Sequence, residues 1–439
     1  MTRTVTLVLV DPDGELLGET DPFEPASPWW QPVDDFGPGL QVLRLLHSDR
    51  PGPPGGHVTY LAEVTDEARN IRKVAEKPGG ESRTQSADAG IGSRDGDIGK
   101  QGVGGGATPA ATSRGAAGSK TFPAYVESAR EPHPKRAPYA ELGGPTASIA
   151  WATGLVPGTT AHQCRTWNLS AIWRLDDEHG PVAWLKQVPS FFAHEPYAIS
   201  LVAGIAPHRV PRLIAAGEHG RMLLAHAPGE DRYGAGTELC AEIAAAFHPI
   251  QAHLAADPAP LARIPDARLS RTLADYVRIA EPYFEAIAGL RELIDDLPRR
   301  FAAIEECGLP DTLVHGDLHP GNVRTDDAGR LTIMDWGDCV LGHPAFDILR
   351  LTDADTGGGE RGGGLPGRDR LLAEWAARWR ETVPGSDPLR AVELMLPVAD
   401  LRGALIYSQF LENIEPTEWP YHAADVPAGL TAAVATARG

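Results

Sequence analysis

The chain has 439 residues, 42% hydrophobic and 23% charged, which suits a soluble globular protein of about three compact units and excludes a fibrous repeat or wholesale disorder. Forty Lys and Arg against 59 Asp and Glu leave a formal charge of −19, which repels phosphate backbones and anionic lipid, so neither nucleic acid nor a membrane surface is an expected partner. Four scattered cysteines without C-x-x-C spacing, and no apolar run near about eighteen residues, point to a reducing, cytoplasmic setting rather than a disulfide framework, a zinc site or a membrane span.

Residues 4–10 are β-branched and apolar, and the turn chemistry of Asp11 to Gly14 leads into a second short run, Glu15 to Gly18, which predicts a hairpin. Strand-like runs at Leu40 to Leu46 and His57 to Val64 complete a small β-rich module over 1–65, with the Trp29-Trp30 pair expected in its core. Its strand order resembles parts of a Nudix-like module, but the glutamate-rich metal-binding helix is absent, so no hydrolase activity is expected there.

Forty-eight glycines and 39 prolines make about a fifth of the chain, and many fall in 66–135, where no period of two or 3.6 survives. That stretch reads as a flexible Gly/Ser/Ala-rich linker. The glycine strings at 102–107 and 118–121 fit a dinucleotide fingerprint and a P-loop only loosely, and neither follows a strand.

Beyond residue 150 the sequence predicts strands at 171–175, 181–188, 209–216 and 221–227, with a short helix over 196–203. Helical spacing of apolar residues then covers 237–255, 269–290, 293–307, 368–383 and 390–412, and the glycine cluster 357–364 reads as a surface loop. A β-rich unit followed by a helical one is the expected architecture.

The densest polar segment runs from Asp311 to Leu351. His315 to Asn322 forms a loop full of Gly, Pro and ionisable groups, and Leu331 to Met334 is a short strand ending at Asp335. Asp317, Asn322 and Asp335 suit phosphoryl transfer, in which one carboxylate orients a hydroxyl while a second carboxylate and an amide oxygen hold a hard cation.

In residue type, order and spacing, HGDLHPGN, MDWGD and GHPxxD resemble the aminoglycoside phosphotransferase family, whose members share the protein-kinase fold. The resemblance implies an α+β, two-lobed kinase-like fold, with a β-rich ATP lobe at 136–228 and a helical C-lobe at 229–439 carrying the catalytic loop and acceptor site. It makes Asp317 the catalytic carboxylate, Asn322 and Asp335 ligands of Mg²⁺, His315 a brace for the loop, and Asp347 a hydrogen-bonding partner of the loop backbone. His319 is expected to serve loop packing and Asp338 to cap a turn.

Lys186 lies inside the apolar strand 181–188, where an ammonium needs an anion, and the α/β-phosphates of ATP would supply it. Glu195 resembles the helical glutamate that fixes this lysine, although Pro196 confines it to the first helical turn. No glycine-rich loop precedes the lysine strand. The hairpin Gln163 to Ser170 takes its place, with Asn168 and Ser170 expected to help its amides cover the phosphates. Backbone groups from Ala225 to Ala227 are expected to bind adenine.

The sequence thus predicts an ATP- and Mg²⁺-dependent enzyme that phosphorylates a hydroxyl of a small molecule, aminoglycoside-like, an amino sugar or an amino alcohol, with the acidic balance favouring a cationic acceptor. Two alternatives stand: a non-catalytic nucleotide-binding regulatory module on the same fold, and a metallohydrolase using His315, Asp317 and His319. Trp375, Trp379 and Trp419 are expected in the core.

Overall fold

A computed structural model describes residues 2–65, 131–353 and 365–438. Most of the expected linker, both glycine strings and the 357–364 cluster lie outside the described residues.

Strands β1 (Arg3–Val10), β2 (Leu16–Glu19), β3 (Leu40–Ser48) and β4 (Gly56–Val64) form a sheet in the order β2-β1-β4-β3, with β1 and β4 parallel and the other pairs antiparallel. Val5, Leu7 and Leu9 alternate onto one face and pack around Trp30, Phe36 and Tyr60. Period-two patterning is what commits each strand to a face. Of the expected tryptophan pair only Trp30 is buried, donating its indole N–H to the Gly55 carbonyl at 2.8 Å, whereas Trp29 is 39% exposed.

Helix α1 (Gly144–Leu155) opens the second part of the chain. The sequence reading missed it because Ala, Thr, Ser and Gly give it almost no amphipathic stripe. Five antiparallel strands follow in the order β5-β6-β7-β9-β8: β5 (Thr160–Trp167), β6 (Ser170–Asp177), β7 (Gly180–Gln187), β8 (Leu213–Ala216) and β9 (Arg221–Ala225), with α2 (Glu195–Ile205) between β7 and β8. The free edge of β5 is covered by the N-terminal module. Val33 N donates to Cys164 O at 3.0 Å, Thr166 N donates to Gln31 O at 3.1 Å, and the Gln163 amide pairs with both backbone groups of Val42 at 2.8 Å. Pairing of this kind removes an open sheet edge and fixes the module on the lobe.

The strand β10 (Glu230–Asp231) leads into the helical lobe, which holds α3 (Thr237–Ala256), α4 (Leu269–Ala280) and α5 (Leu290–Glu305). The single helix expected over 269–290 ends early because Pro282 interrupts it and Gly289 turns at φ 90°. Short strands β11 (Thr312–Val314), β12 (Val323–Thr325), β13 (Leu331–Ile333) and β14 (Val340–Gly342) frame the loop over 315–322, with β11 paired to β14 and β12 to β13. Helices α6 (Ala345–Thr352), α7 (Arg368–Thr382), α8 (Pro388–Asn413) and α9 (Asp425–Arg438) complete the lobe. Trp375 and Trp379 are buried as expected, but Trp419 is 43% exposed and hydrogen-bonds Leu411 O. Among the described residues no helix is long and apolar enough to cross a membrane.

Candidate active site

Lys186, on β7, points from the five-stranded sheet toward the helical lobe. Its Nζ contacts Glu195 Oε1 at 2.7 Å and Asp335 Oδ1 at 2.6 Å. Glu195 is the first residue of α2, as Pro196 required, and still reaches the lysine. The same Oε1 accepts the Trp336 amide at 3.1 Å, so one buried carboxylate ties strand, helix and the residue after Asp335 together. Burial opposes the charge of Lys186, but the two carboxylates outweigh it and hold the ammonium above its ordinary value. Burial likewise opposes the charge of Asp335, and Lys186 outweighs it.

Asp335 adopts φ 60°, a left-handed backbone that a non-glycine residue takes only when its surroundings impose it. The imposing contacts are visible on both sides: Met334 N donates to Asn322 O at 2.8 Å, and Trp336 is buried with its indole N–H on Ile333 O at 3.0 Å.

Asp317 and Asn322 meet within the loop between β11 and β12. Asn322 Nδ2 donates to Asp317 O at 2.9 Å and to Asp317 Oδ2 at 3.0 Å, which leaves the amide oxygen as its free donor atom for a cation. His319 Nδ1 accepts from Gly321 N, so its Nε2 carries the proton and faces Asp317 Oδ2 at 3.4 Å. His319 therefore does more than pack the loop. On the other side of the carboxylate, Arg350 Nε donates to Oδ1 at 2.8 Å. Burial would raise the Asp317 pKa, but the Arg350 charge and the His319 bond hold it well below the usual carboxylate range.

The loop is held from beneath. Asp347, at the start of α6, accepts from His315 N, Gly316 N and Gln251 Nε2, each at 3.0 Å, while burial pushes its carboxyl up to about 7. His315 is fully buried, its Nε2 lies 2.9 Å from Met334 O, and burial lowers its pKa to about 4, so the ring is a neutral brace between the loop and the Asp335 strand. Among the described residues no three His, Cys, Asp or Glu side chains, His315, Asp317 and His319 included, are grouped to hold a metal ion, which counts against the metallohydrolase alternative. Gly316 has φ 88°, and a Cβ there would run into the Asp338 carbonyl. Asp338 thus occupies a turn, as expected, and burial followed by the charges of Asp317 and Asp335 raises its carboxyl to about 7, which favours its neutral form.

Two expectations fail in part. Asn168 sits at the β5–β6 turn, but its Oδ1 lies 2.9 Å from His422 Nε2 and its Nδ2 bonds Glu418 O at 3.4 Å; Ser170 Oγ accepts the Trp167 indole at 3.1 Å. The Asn168 side chain is spent on the protein, whereas Ser170 only accepts and keeps its hydroxyl hydrogen, so the hairpin backbone and that one hydroxyl remain to cover a phosphate. At the hinge, Ala225 N donates to Arg212 O at 2.9 Å and His226 N to Val182 O at 3.0 Å, while Ala227 is buried.

Arg350, Gln251, His422 and Tyr407 were not anticipated. Arg350 follows Asp347 by three residues on α6, so helical spacing alone places both on the face toward the loop. Tyr407, on α8, stacks on His422 at 5.6 Å, and its phenol is pushed up by burial and by the charges of Asp425 and Asp317.

The donor set fits a magnesium ion. It offers a carboxylate and an amide oxygen, both hard ligands, from residues locked by the backbone contacts above.

A β-rich lobe with a Lys–Glu pair, joined to a helical lobe with this loop, defines a kinase-like phosphotransferase fold. Residues 175–392 match the phosphotransferase enzyme family. The chain is similar in fold to a choline/ethanolamine kinase family protein from Mesorhizobium loti, at 15% identity over 67% of this chain and 95% of that one, with a TM-score of 0.47. It is also similar to choline kinase from Cryptosporidium parvum, at 13% identity over 67% and 95% with a TM-score of 0.49. A third similar structure is the macrolide 2'-phosphotransferase MphH from Brachybacterium faecium, at 18% identity over 59% and 88% with a TM-score of 0.41. No curated protein sequence matches the chain.

Proposed function

We propose that the chain transfers the γ-phosphoryl group of ATP to a hydroxyl of a small, amine-bearing acceptor, an amino sugar or amino alcohol. The observation that carries this reading is the meeting of Lys186, Glu195 and Asp335 across the two lobes, beside an Asp317 carboxylate oriented from both sides.

The adenine would lie against the hinge at 225–227 and the phosphates beneath the 163–170 hairpin. Lys186, already between two carboxylates, would exchange part of its contact with Asp335 for phosphate oxygens. Mg²⁺ held by the Asn322 amide oxygen and Asp335 would supply neutralisation of the charge that spreads over the transferred group.

Asp317 stays ionised, with Arg350 on one oxygen and Asn322 and His319 on the other. Its remaining lone pair accepts the hydrogen of the acceptor hydroxyl and aims that oxygen at the phosphorus. A carboxylate this weakly basic orients the nucleophile and takes its proton late in the transfer. Asp425 and Asp317 place negative charge near Tyr407, which supports a cationic acceptor.

The test is ADP release by the full chain with Mg·ATP, across amino sugars, amino alcohols and uncharged polyols. Turnover with amine-bearing alcohols is the expected result. Turnover confined to the polyols would overturn the acceptor class, and Mg·ATP binding with no transfer to any acceptor would favour the regulatory alternative.

A further inference from the structure

Kinase-like folds need a cover for the nucleotide phosphates, and the cover here contains no glycine between Gln163 and Ser170. It is instead anchored from far along the chain. Residues 414–424, between α8 and α9, cross back to the hairpin. Trp167 packs against Tyr421 at 5.8 Å and His422 at 5.6 Å, and the Trp167 carbonyl accepts the Tyr139 hydroxyl at 2.9 Å. Asn168, in the turn itself, accepts from His422 Nε2 at 2.9 Å. Because Asn168 Nδ2 is directed at Glu418 O, its Oδ1 is the acceptor, and His422 must carry its proton on Nε2.

His422 is 3% exposed and joins three parts of the molecule. One face meets the hairpin, and the other stacks on Tyr407 of α8 at 5.6 Å and 30°. Its neighbours Tyr421 and Glu418 are gripped by the N-terminal module, through a T-shaped contact of Tyr421 with Trp30 at 5.4 Å and a 2.7 Å bond from Leu45 N to Glu418 Oε1.

We infer that His422 is a positioning residue for the nucleotide, holding the glycine-free hairpin in its phosphate-covering place through Asn168, and that the N-terminal module serves this by clamping the turn that carries His422. The inference rests on the phosphotransferase reading. A hairpin fixed beforehand costs no ordering when the nucleotide enters, so its tether is worth affinity.

The experiment measures binding of Mg·AMP-PNP, a non-hydrolysable ATP analogue, to the full chain by calorimetry, with the melting temperature read alongside. His422→Phe keeps the ring and loses the donor; His422→Gln keeps a donor. The expected result is an affinity about ten-fold weaker for His422→Phe, the worth of one buried hydrogen bond, with His422→Gln within about twofold of wild type. Asn168→Ala removes the same bond from the other side, and in the double variant the two losses are not additive. Equal affinity in wild type, His422→Phe and Asn168→Ala would overturn the inference. Absence of binding by wild type would instead overturn the phosphotransferase reading itself.

Discussion

Arg350 Nε donates to Asp317 Oδ1 at 2.8 Å, so the carboxylate proposed to meet the acceptor is held by a guanidinium. This contact fixes its orientation at the expense of its basicity. Replacing Arg350 by Leu should lower kcat by about ten- to a hundredfold through misorientation, with nucleotide affinity unchanged. Steady-state kinetics with varied ATP and varied acceptor separates the two.

Asp347 supports the loop with both oxygens of its carboxyl group, which take three N–H donors. Asp347→Asn turns an NH₂ group toward at least one of them. The variant should lose about tenfold or more in kcat while keeping its circular dichroism spectrum, because the loop shifts without unfolding the lobe.

The junction of the N-terminal module, the segment before α1 and the C-terminal turn is a buried charge cluster. Arg136 Nη2 meets Glu415 Oε2 at 2.9 Å, and Arg44 Nε lies 3.5 Å from Glu415 Oε1. Glu415→Ala takes away the carboxylate that both guanidinium groups share, and should cost about 3 kcal/mol in urea unfolding, far more than loss of a surface pair.

His343 is buried, its Nδ1 accepts from Ala345 N at 3.2 Å, and burial lowers its pKa from 6.5 to about 4. A depressed folded value means that the unfolded chain binds the extra proton. Its contribution is therefore present above about pH 6.5 and is lost as the pH falls toward 4. His343→Asn keeps a side-chain acceptor for that amide without a titrating ring. The gap between wild-type stabilities at pH 8 and pH 5 should shrink by roughly 2 kcal/mol in the variant.

The parts legible from sequence were those whose signal is local. Loop, strand and helix start lie within the run Asp311 to Leu351, so the motifs that carry the family resemblance, and with it the roles it implies for His315 and Asp347, stand in one stretch of sequence, and the helix over 237–255 was read nearly to its ends. Lys186 and Glu195 lie nine residues apart, and the geometry shows the pairing that the proline left open. The tether between Asn168 and His422 spans 254 residues, and no spacing rule links them. The same holds for the Arg44–Glu415 cluster, since tertiary contacts of that range leave no periodic trace in the chain.

The central claim is that Asp317 orients an alcohol for attack on ATP, and it is tested most directly by Asp317→Asn. With Mg·ATP carrying a labelled γ-phosphate and the acceptor found by the panel, transfer should fall by about a thousandfold while Mg·AMP-PNP binds as in wild type. Wild-type transfer rates in Asp317→Asn would contradict the account.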